Sequence, residues 1–168
     1  MPGRATPETT ATKSPAPRLL LIYAGHEGGR TYELLDAVLQ GIHDAGEPIE
    51  LRTLPALEAD TDDLLWAQGL LIGTPEHFGY MAGAIKDFMD RTFYPSEGKV
   101  EGLPYAVFVS AGNDGTGAVN SIERIAIGYK WKRVAEPVIV KGAVDAPGRQ
   151  RCVDLGQMMA VGLSMGIF

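Results

Sequence analysis

The 168-residue chain holds one cysteine, Cys152. A lone thiol cannot form an internal bridge, so the fold must stand without disulfides, and the chain suits a reducing, cytoplasmic compartment. No run approaches the ~18 consecutive apolar residues of a membrane-spanning helix. Positive charge is also scarce. Fifteen Lys and Arg against 21 Asp and Glu give a formal net charge of −6 and a pI near 5.0. The basic residues are scattered, whereas a nucleic-acid footprint needs a basic face. The opening stretch MPGRATPETTATKSPAP has neither an apolar signal core nor a periodic pattern. Residues 1–17 therefore read as a disordered extension and residues 18–168 as one domain.

Two nucleotide signatures are wanting as well. AGHEGGRT (24–31) is two substitutions away from a P-loop, with Ala24 for the first Gly and Arg30 for the Lys. A nucleotide hydrolase also needs an acid to place Mg²⁺, commonly at the end of a second buried strand. Here the buried strands end at Gly73 and Ser110. AGNDGTG (111–117) lacks the G-x-G-x-x-G spacing, and too little chain remains after it for a six-stranded dinucleotide fold.

What is present is a regular alternation of strand and helix patterns. RLLLIYA (18–24), GLLIGT (69–74), YAVFVSA (105–111) and EPVIVKGA (136–143) are continuous apolar runs. Such strands are buried on both faces, hence parallel and sandwiched by helices. PIELRTL (48–54) alternates more and suits a sheet edge. Helical periodicity covers 31–45, 80–93, 117–132 and 148–165, and a short helix at 61–67 has Thr61 as its expected N-cap. Five strands so arranged predict an α/β, doubly wound, five-stranded parallel sheet of order 2-1-3-4-5, with helices on both faces. Ligands then bind beyond the carboxyl ends of strands 1, 3 and 4, where the order reverses.

Three Gly-bearing loops converge there: 24–31, 74–81 and 111–117. The first has the outline of an anion site, in which backbone N–H groups at a helix start face a negative group. Glu27, however, puts a carboxylate where the anion would sit. The second loop offers Phe78, Tyr80 and Met81, flat or polarizable surface suited to a planar heterocycle, although Phe78 and Met81 could equally seal the following helix. The pairs His26–Glu27 and Glu76–His77, with Asp114, also admit a divalent-metal hydrolase site if all point inward. Trp66, Trp131 and Cys152 fit packing roles, His43 a solvated one, and GYKWKRV (128–134) a cationic helix end.

GTPEHFGYMAGAIKDFMDRT (73–92) resembles the matching segment of flavodoxin-like NAD(P)H-dependent FMN reductases and NAD(P)H:quinone oxidoreductases, which reads like G-T-P-x-x-F-G-x-M followed by a K-x-F-x-D helix. LLLIYAGHEGGRTYELLDAVLQG, VFVSAGNDG and LGQMMAVGLSMGIF are similar to their first strand and phosphate loop, third loop and last helix. The resemblance implies a single flavodoxin-like domain that binds FMN and takes electrons from NAD(P)H for a quinone-like acceptor. It implies phosphate at the backbone of Gly25, His26, Glu27, Gly28, Gly29 and Arg30 and at the Thr31 hydroxyl. It implies the isoalloxazine against Thr74, Pro75, Glu76, His77, Phe78, Gly79, Tyr80 and Met81, with Ser110, Ala111, Gly112, Asn113 and Gly115 along its other edge. His77 and Tyr80 are the candidate catalytic residues, as proton or hydrogen-bond donors. The family's first loop usually reads S-x-T-G-x-T, and this chain departs from it. Losing hydroxyls and gaining Glu27 weakens phosphate binding by a few kcal/mol if the carboxylate points inward, and far less if it is solvated. Arg30 can compensate as a charge-assisted donor. A homodimer or homotetramer stays open, as do a flavin-free interaction module and an electron-carrier flavodoxin.

Overall fold

A computed structural model describes residues 13–168; the expectation for residues 1–12 lies outside the described residues. Among the described residues, seven strands and five helices succeed one another: β1 (Arg18–Tyr23), α1 (Arg30–Asp44), β2 (Glu50–Pro55), α2 (Thr61–Trp66), β3 (Gly69–His77), β4 (Tyr80–Met81), α3 (Gly83–Ser96), β5 (Pro104–Ala111), α4 (Thr116–Tyr129), β6 (Lys132–Arg133), β7 (Val138–Lys141) and α5 (Ala146–Ser164). The parallel sheet runs β2-β1-β3-β5, and β5 pairs at its start with β6 and at its end with β7. β6 and β7 together fill the fifth position, so the expected flavodoxin-like 2-1-3-4-5 order holds with its last strand split.

The uniformly apolar runs lie in the middle. β5 is buried at all eight residues and β1 at its four central ones, while the more alternating β2 takes the edge. Successive residues of a strand face opposite sides, and β1 shows it. Leu20 and Ile22 join one core with Phe88, Met89, Ile122 and Leu64 from α2, α3 and α4. Leu19 and Leu21 join the other, with Leu34, Val38, Leu155 and Met159 from α1 and α5. α1 and α5 approach closely enough that a Cβ on Gly41 would stand 1.9 Å from the Val153 carbonyl oxygen, and one on Gly156 2.1 Å from that of Val38. Small residues here let two backbones touch.

Three expectations are corrected. α2 is capped by Asp60, not Thr61. The Asp60 carboxylate accepts from the Asp63 N–H and the Asp63 carboxylate from the Asp60 N–H, a reciprocal box that places the start one residue earlier. The helix expected over 80–93 begins at Gly83, because Tyr80 and Met81 pair back onto β3. The helix expected to reach 132 stops at Tyr129. Lys130 turns left-handed (φ 61°) and the Trp131 N–H closes on the Ala126 carbonyl at 3.1 Å, a Schellman-type ending. The cationic segment 128–134 lies at the end of α4, as expected, with Lys130, Lys132 and Arg133 exposed; Lys130 pairs with Glu101 at 3.1 Å, and Arg133 with Glu123 and Glu136.

Candidate functional site

β1, β3 and β5 end side by side, and the chain leaves each of them in a different way. After β1 it makes a tight turn. The Gly29 N–H donates to the His26 carbonyl at 2.9 Å, and Gly28 takes φ 85°. Glu27 sits at the exposed tip of this turn and is not among the residues lining the crevice below. The carboxylate therefore leaves the anion position free. α1 starts with Gly29 at its N-cap and no side chain capping it. Its first helical hydrogen bond joins the Glu33 N–H to the Gly29 carbonyl at 3.1 Å, so the N–H groups of Arg30, Thr31 and Tyr32 stand ahead of the ladder.

The second segment is not the loop expected from its sequence. β3 runs on to His77 and folds back through a two-residue turn, pairing His77 with Tyr80 and Glu76 with Met81. Both turn residues, Phe78 (φ 52°) and Gly79 (φ 69°), are left-handed, as a type I′ hairpin requires. Left-handed backbone costs a non-glycine residue about 1–2 kcal/mol. The Phe78 ring meanwhile lies wholly in solvent, at 108% relative exposure.

This hairpin is fastened to α4 at four points. The Glu76 carboxylate accepts from the Gly115 N–H at 3.0 Å and the Ala118 N–H at 3.2 Å. The Met81 N–H donates to the Ser121 hydroxyl oxygen at 3.0 Å. A Cβ on Gly117 would lie 2.1 Å from the Gly79 carbonyl oxygen, so the two backbones are in contact. On the other flank the buried Thr74 hydroxyl donates to the Pro75 carbonyl at 2.8 Å and accepts from the Ala82 N–H at 3.0 Å.

The third segment, Gly112 to Gly115, closes the set. The exposed Asp114 accepts from the Thr116 hydroxyl at 2.7 Å, and the Thr116 side-chain and backbone donors hold its carboxyl below the ordinary value. Beneath the three segments, the Thr31 and Ser110 hydroxyls meet at 2.6 Å, both buried.

Between them opens a crevice of about 570 Å³, within the range of cofactor sites. Gly25, His26, Gly29, Arg30 and Thr31 line it from the first segment, Pro75, Glu76 and His77 from β3, and Ser110, Ala111 and Gly112 from β5 and its end. Glu27, Gly28, Thr74, Phe78, Gly79, Tyr80, Met81, Asn113 and Gly115 belong to the same three segments but do not line it. Thr74, Met81 and Gly115 are buried, Phe78 and Tyr80 project from the hairpin, and Asn113 is exposed. Four liners were missed from the sequence: Ala24, Ala82, Gly83 and Ala84. The last three mark a second helix start. α3 has no side-chain cap, and its first bonds run from the Ile85 and Lys86 N–H groups to the Ala82 carbonyl, leaving the Gly83 and Ala84 N–H groups ahead of them.

Outside the crevice, Trp131 is buried and stacks on Tyr129 (centroids 4.2 Å apart), and Trp66 packs under the Arg52 guanidinium at 3.9 Å. Cys152 is fully buried in the α1/α5 core, where desolvation pushes its thiol up to about 11. His43 is exposed beside Asp44. Among the described residues no three His, Cys, Asp or Glu side chains cluster as metal ligands, and Glu76 is engaged by the start of α4.

The crevice suits a phosphorylated planar cofactor on structural grounds. A bare helix N-terminus faces one end of it, and Pro75, Glu76, His77 and a set of small residues line the remainder. Comparisons with known proteins agree. The sequence profile of the NADPH-dependent FMN reductases matches residues 17–142. A flavodoxin of Aquifex aeolicus is 27% identical over 146 residues, which cover 85% of this chain and 74% of that protein. An NAD(P)H dehydrogenase (quinone) of Paracoccus denitrificans is 28% identical over 124 residues, 62% of this chain and 59% of the dehydrogenase. The chain thus spans under two thirds of that relative. The fold is shared with oxidised flavodoxin 1 from Bacillus cereus, at a TM-score of 0.73 and 19% identity over 88% of this chain and 99% of that one.

Proposed function

From a chain that belongs to the NADPH-dependent FMN reductase family, and is thus an FMN-dependent NAD(P)H oxidoreductase, we propose a reductase of quinones or similar flat, small acceptors. The observation that carries this reading is the bare start of α1 at one end of a crevice walled by the ends of β1, β3 and β5. FMN, when bound, supplies the hydride and electron transfer.

The protein's own residues bind, orient and shield. The backbone of Gly25 to Thr31 is suited to the phosphate, with the positive end of α1 behind it. Pro75, Glu76 and His77 on one wall, and Ser110, Ala111 and Gly112 on the other, are suited to the two edges of the ring. Because Glu76 ties the hairpin to α4, those walls are held at fixed separation before any ligand arrives, which lowers the ordering cost of binding. His77, on the β3 wall, is able to hold or deliver a proton at an imidazole nitrogen, the role expected of a donor to a reduced acceptor. Tyr80, 41% exposed on the opposite strand of the hairpin, is the second candidate, acting from the rim.

The reading is tested by titrating the protein with FMN and monitoring quenching of flavin fluorescence, then measuring NAD(P)H oxidation with and without a soluble benzoquinone. Saturable quenching and quinone-dependent turnover are expected. Absence of flavin binding would sink the reading. Flavin binding without NAD(P)H oxidation would favour the electron carrier, which the 27% identity to a flavodoxin over 85% of the chain keeps in view.

A further inference from the structure

Resting on this FMN assignment, we infer that the His26 and Arg30 side chains select the phosphorylated flavin over its phosphate-free form. The first loop has little hydroxyl to give. Ala24, Gly25, Gly28 and Gly29 carry none, and the Thr31 hydroxyl is already bonded to Ser110 at 2.6 Å in a buried pair. Glu27 is turned out at the tip.

Two basic side chains remain, and both line the crevice. The His26 imidazole is folded back over the N-cap of α1. A Cβ placed on Gly29 would stand 3.3 Å from its Cε1 and 3.5 Å from its Nδ1. Gly29 is therefore the residue that makes room for this ring at the helix start. Arg30 is the first residue of the helix itself. Neither side chain has a hydrogen-bond or ion-pair partner among the described residues, whereas Arg18, Arg52, Arg91 and Arg133 all do.

The charges decide what such a cradle takes. A phosphate monoester carries about −1.5 to −2 near neutral pH. The start of α1 supplies roughly +0.5 and Arg30 one full unit. The His26 imidazole adds an N–H donor beside them. Of the acids nearby, Glu76 is engaged by the start of α4, and Glu27 and Asp114 do not line the crevice.

FMN affinity should therefore fall as salt rises, and riboflavin affinity should not.

The test is fluorescence-quenching titration with FMN and with riboflavin at low and high salt, on the native chain, His26→Gln and Arg30→Gln. Both substituted positions are exposed to solvent, and far-UV circular dichroism checks the fold. His26→Gln should weaken FMN about twofold or more and Arg30→Gln about tenfold or more, both leaving riboflavin unchanged. A variant that weakens both flavins alike, or that binds FMN as tightly as the native chain does, overturns the inference. Riboflavin binding as tightly as FMN overturns it too, with the flavin site intact. Failure of both flavins to bind strikes instead at the proposed function.

Discussion

Glu76 joins two of the site's three segments through one side chain, and its removal has a calculable cost. The carboxylate accepts from the Gly115 N–H at 3.0 Å and the Ala118 N–H at 3.2 Å, and both donor residues are buried. It caps α4 from 39 positions away in sequence, since Gly115 at the N-cap has no side chain to do so. Truncation to alanine removes a negative cap from a helix start and strands two donors that water reaches poorly. A lost cap costs about 0.5–2 kcal/mol and an unsatisfied buried donor about 1–3 kcal/mol. The sum expected for Glu76→Ala is therefore about 1.5–5 kcal/mol. For a chain of this size that lowers Tm by roughly 3–20 °C. Glu76→Gln keeps one acceptor oxygen but turns an amide donor toward the second N–H, and should cost about half as much. Urea denaturation with an unchanged m-value measures the difference. Glu27→Ala, on the exposed tip of the first turn, is the reference and should stay within about 0.5 kcal/mol of the native chain. If Glu76→Ala were no less stable than Glu27→Ala, the capping role would be refuted and the hairpin would have to be held by other contacts.

Phe78→Asn should stabilise the fold by about 1 kcal/mol, because asparagine tolerates the left-handed backbone that the exposed phenylalanine occupies, and a rise in the urea midpoint would show it. Gly41→Ala and Gly156→Ala should each cost at least about 1–3 kcal/mol, since the added methyl meets backbone oxygen rather than a movable side chain, with thermal unfolding as the measurement. Burial pushes the Tyr105 and Tyr129 hydroxyls up from 10.0 to about 12. The folded chain holds these protons more tightly than the unfolded one, so their contribution is whole below pH ~10 and is lost as the pH climbs through about 12; stability measured from pH 9 to 12 should fall over that window. The Cys152 thiol, pushed up to about 11 in a fully buried position, should resist iodoacetamide at pH 8 in the native state and react quickly in urea.

The sheet was legible because burial on two faces leaves a signal that needs no partner to read. Leu19 to Ile22, Leu70 to Ile72 and Ala106 to Val109 are apolar at every step, and each lies inside the sheet. The stripes Leu34, Leu35, Val38 and Ile42 on α1, and Ile85, Phe88 and Met89 on α3, were equally plain and face the two cores. The β3–β4 hairpin was not legible. Its turn rests on a phenylalanine in a conformation that sequence reasoning reserves for Gly, Asn or Asp, so HFGY gave no turn signal. Ala24, Ala82, Gly83 and Ala84 were passed over for another reason. They contribute backbone and absence of bulk, and neither registers when residues are searched for side-chain chemistry. The Glu76–α4 contact and the Thr31–Ser110 pair depend on tertiary approach across 39 and 79 positions, which no local pattern encodes.

How the helix starts are treated separates scaffold from site more sharply than any side chain does. A helix start is easily satisfied, because one Asp, Ser or Thr suffices, and three of the five helices are satisfied by carboxylates: α2 by Asp60, α5 by Asp145 and α4 by the distant Glu76. The starts of α1 and α3 have no such group, and both open onto the same crevice. Leaving them bare forgoes about 0.5–2 kcal/mol apiece. On the proposed reading a ligand provides the missing acceptors, with phosphate at α1. Filling them from within should therefore trade binding for stability. Gly29→Ser would place a capping hydroxyl at the α1 start, and its Cβ would crowd the His26 carbonyl oxygen at 3.1 Å and the His26 ring at 3.3 Å. Gains in unfolding free energy bought this way should come with a loss of FMN affinity, whereas recapping α2 with Asp60→Ser should leave FMN binding untouched.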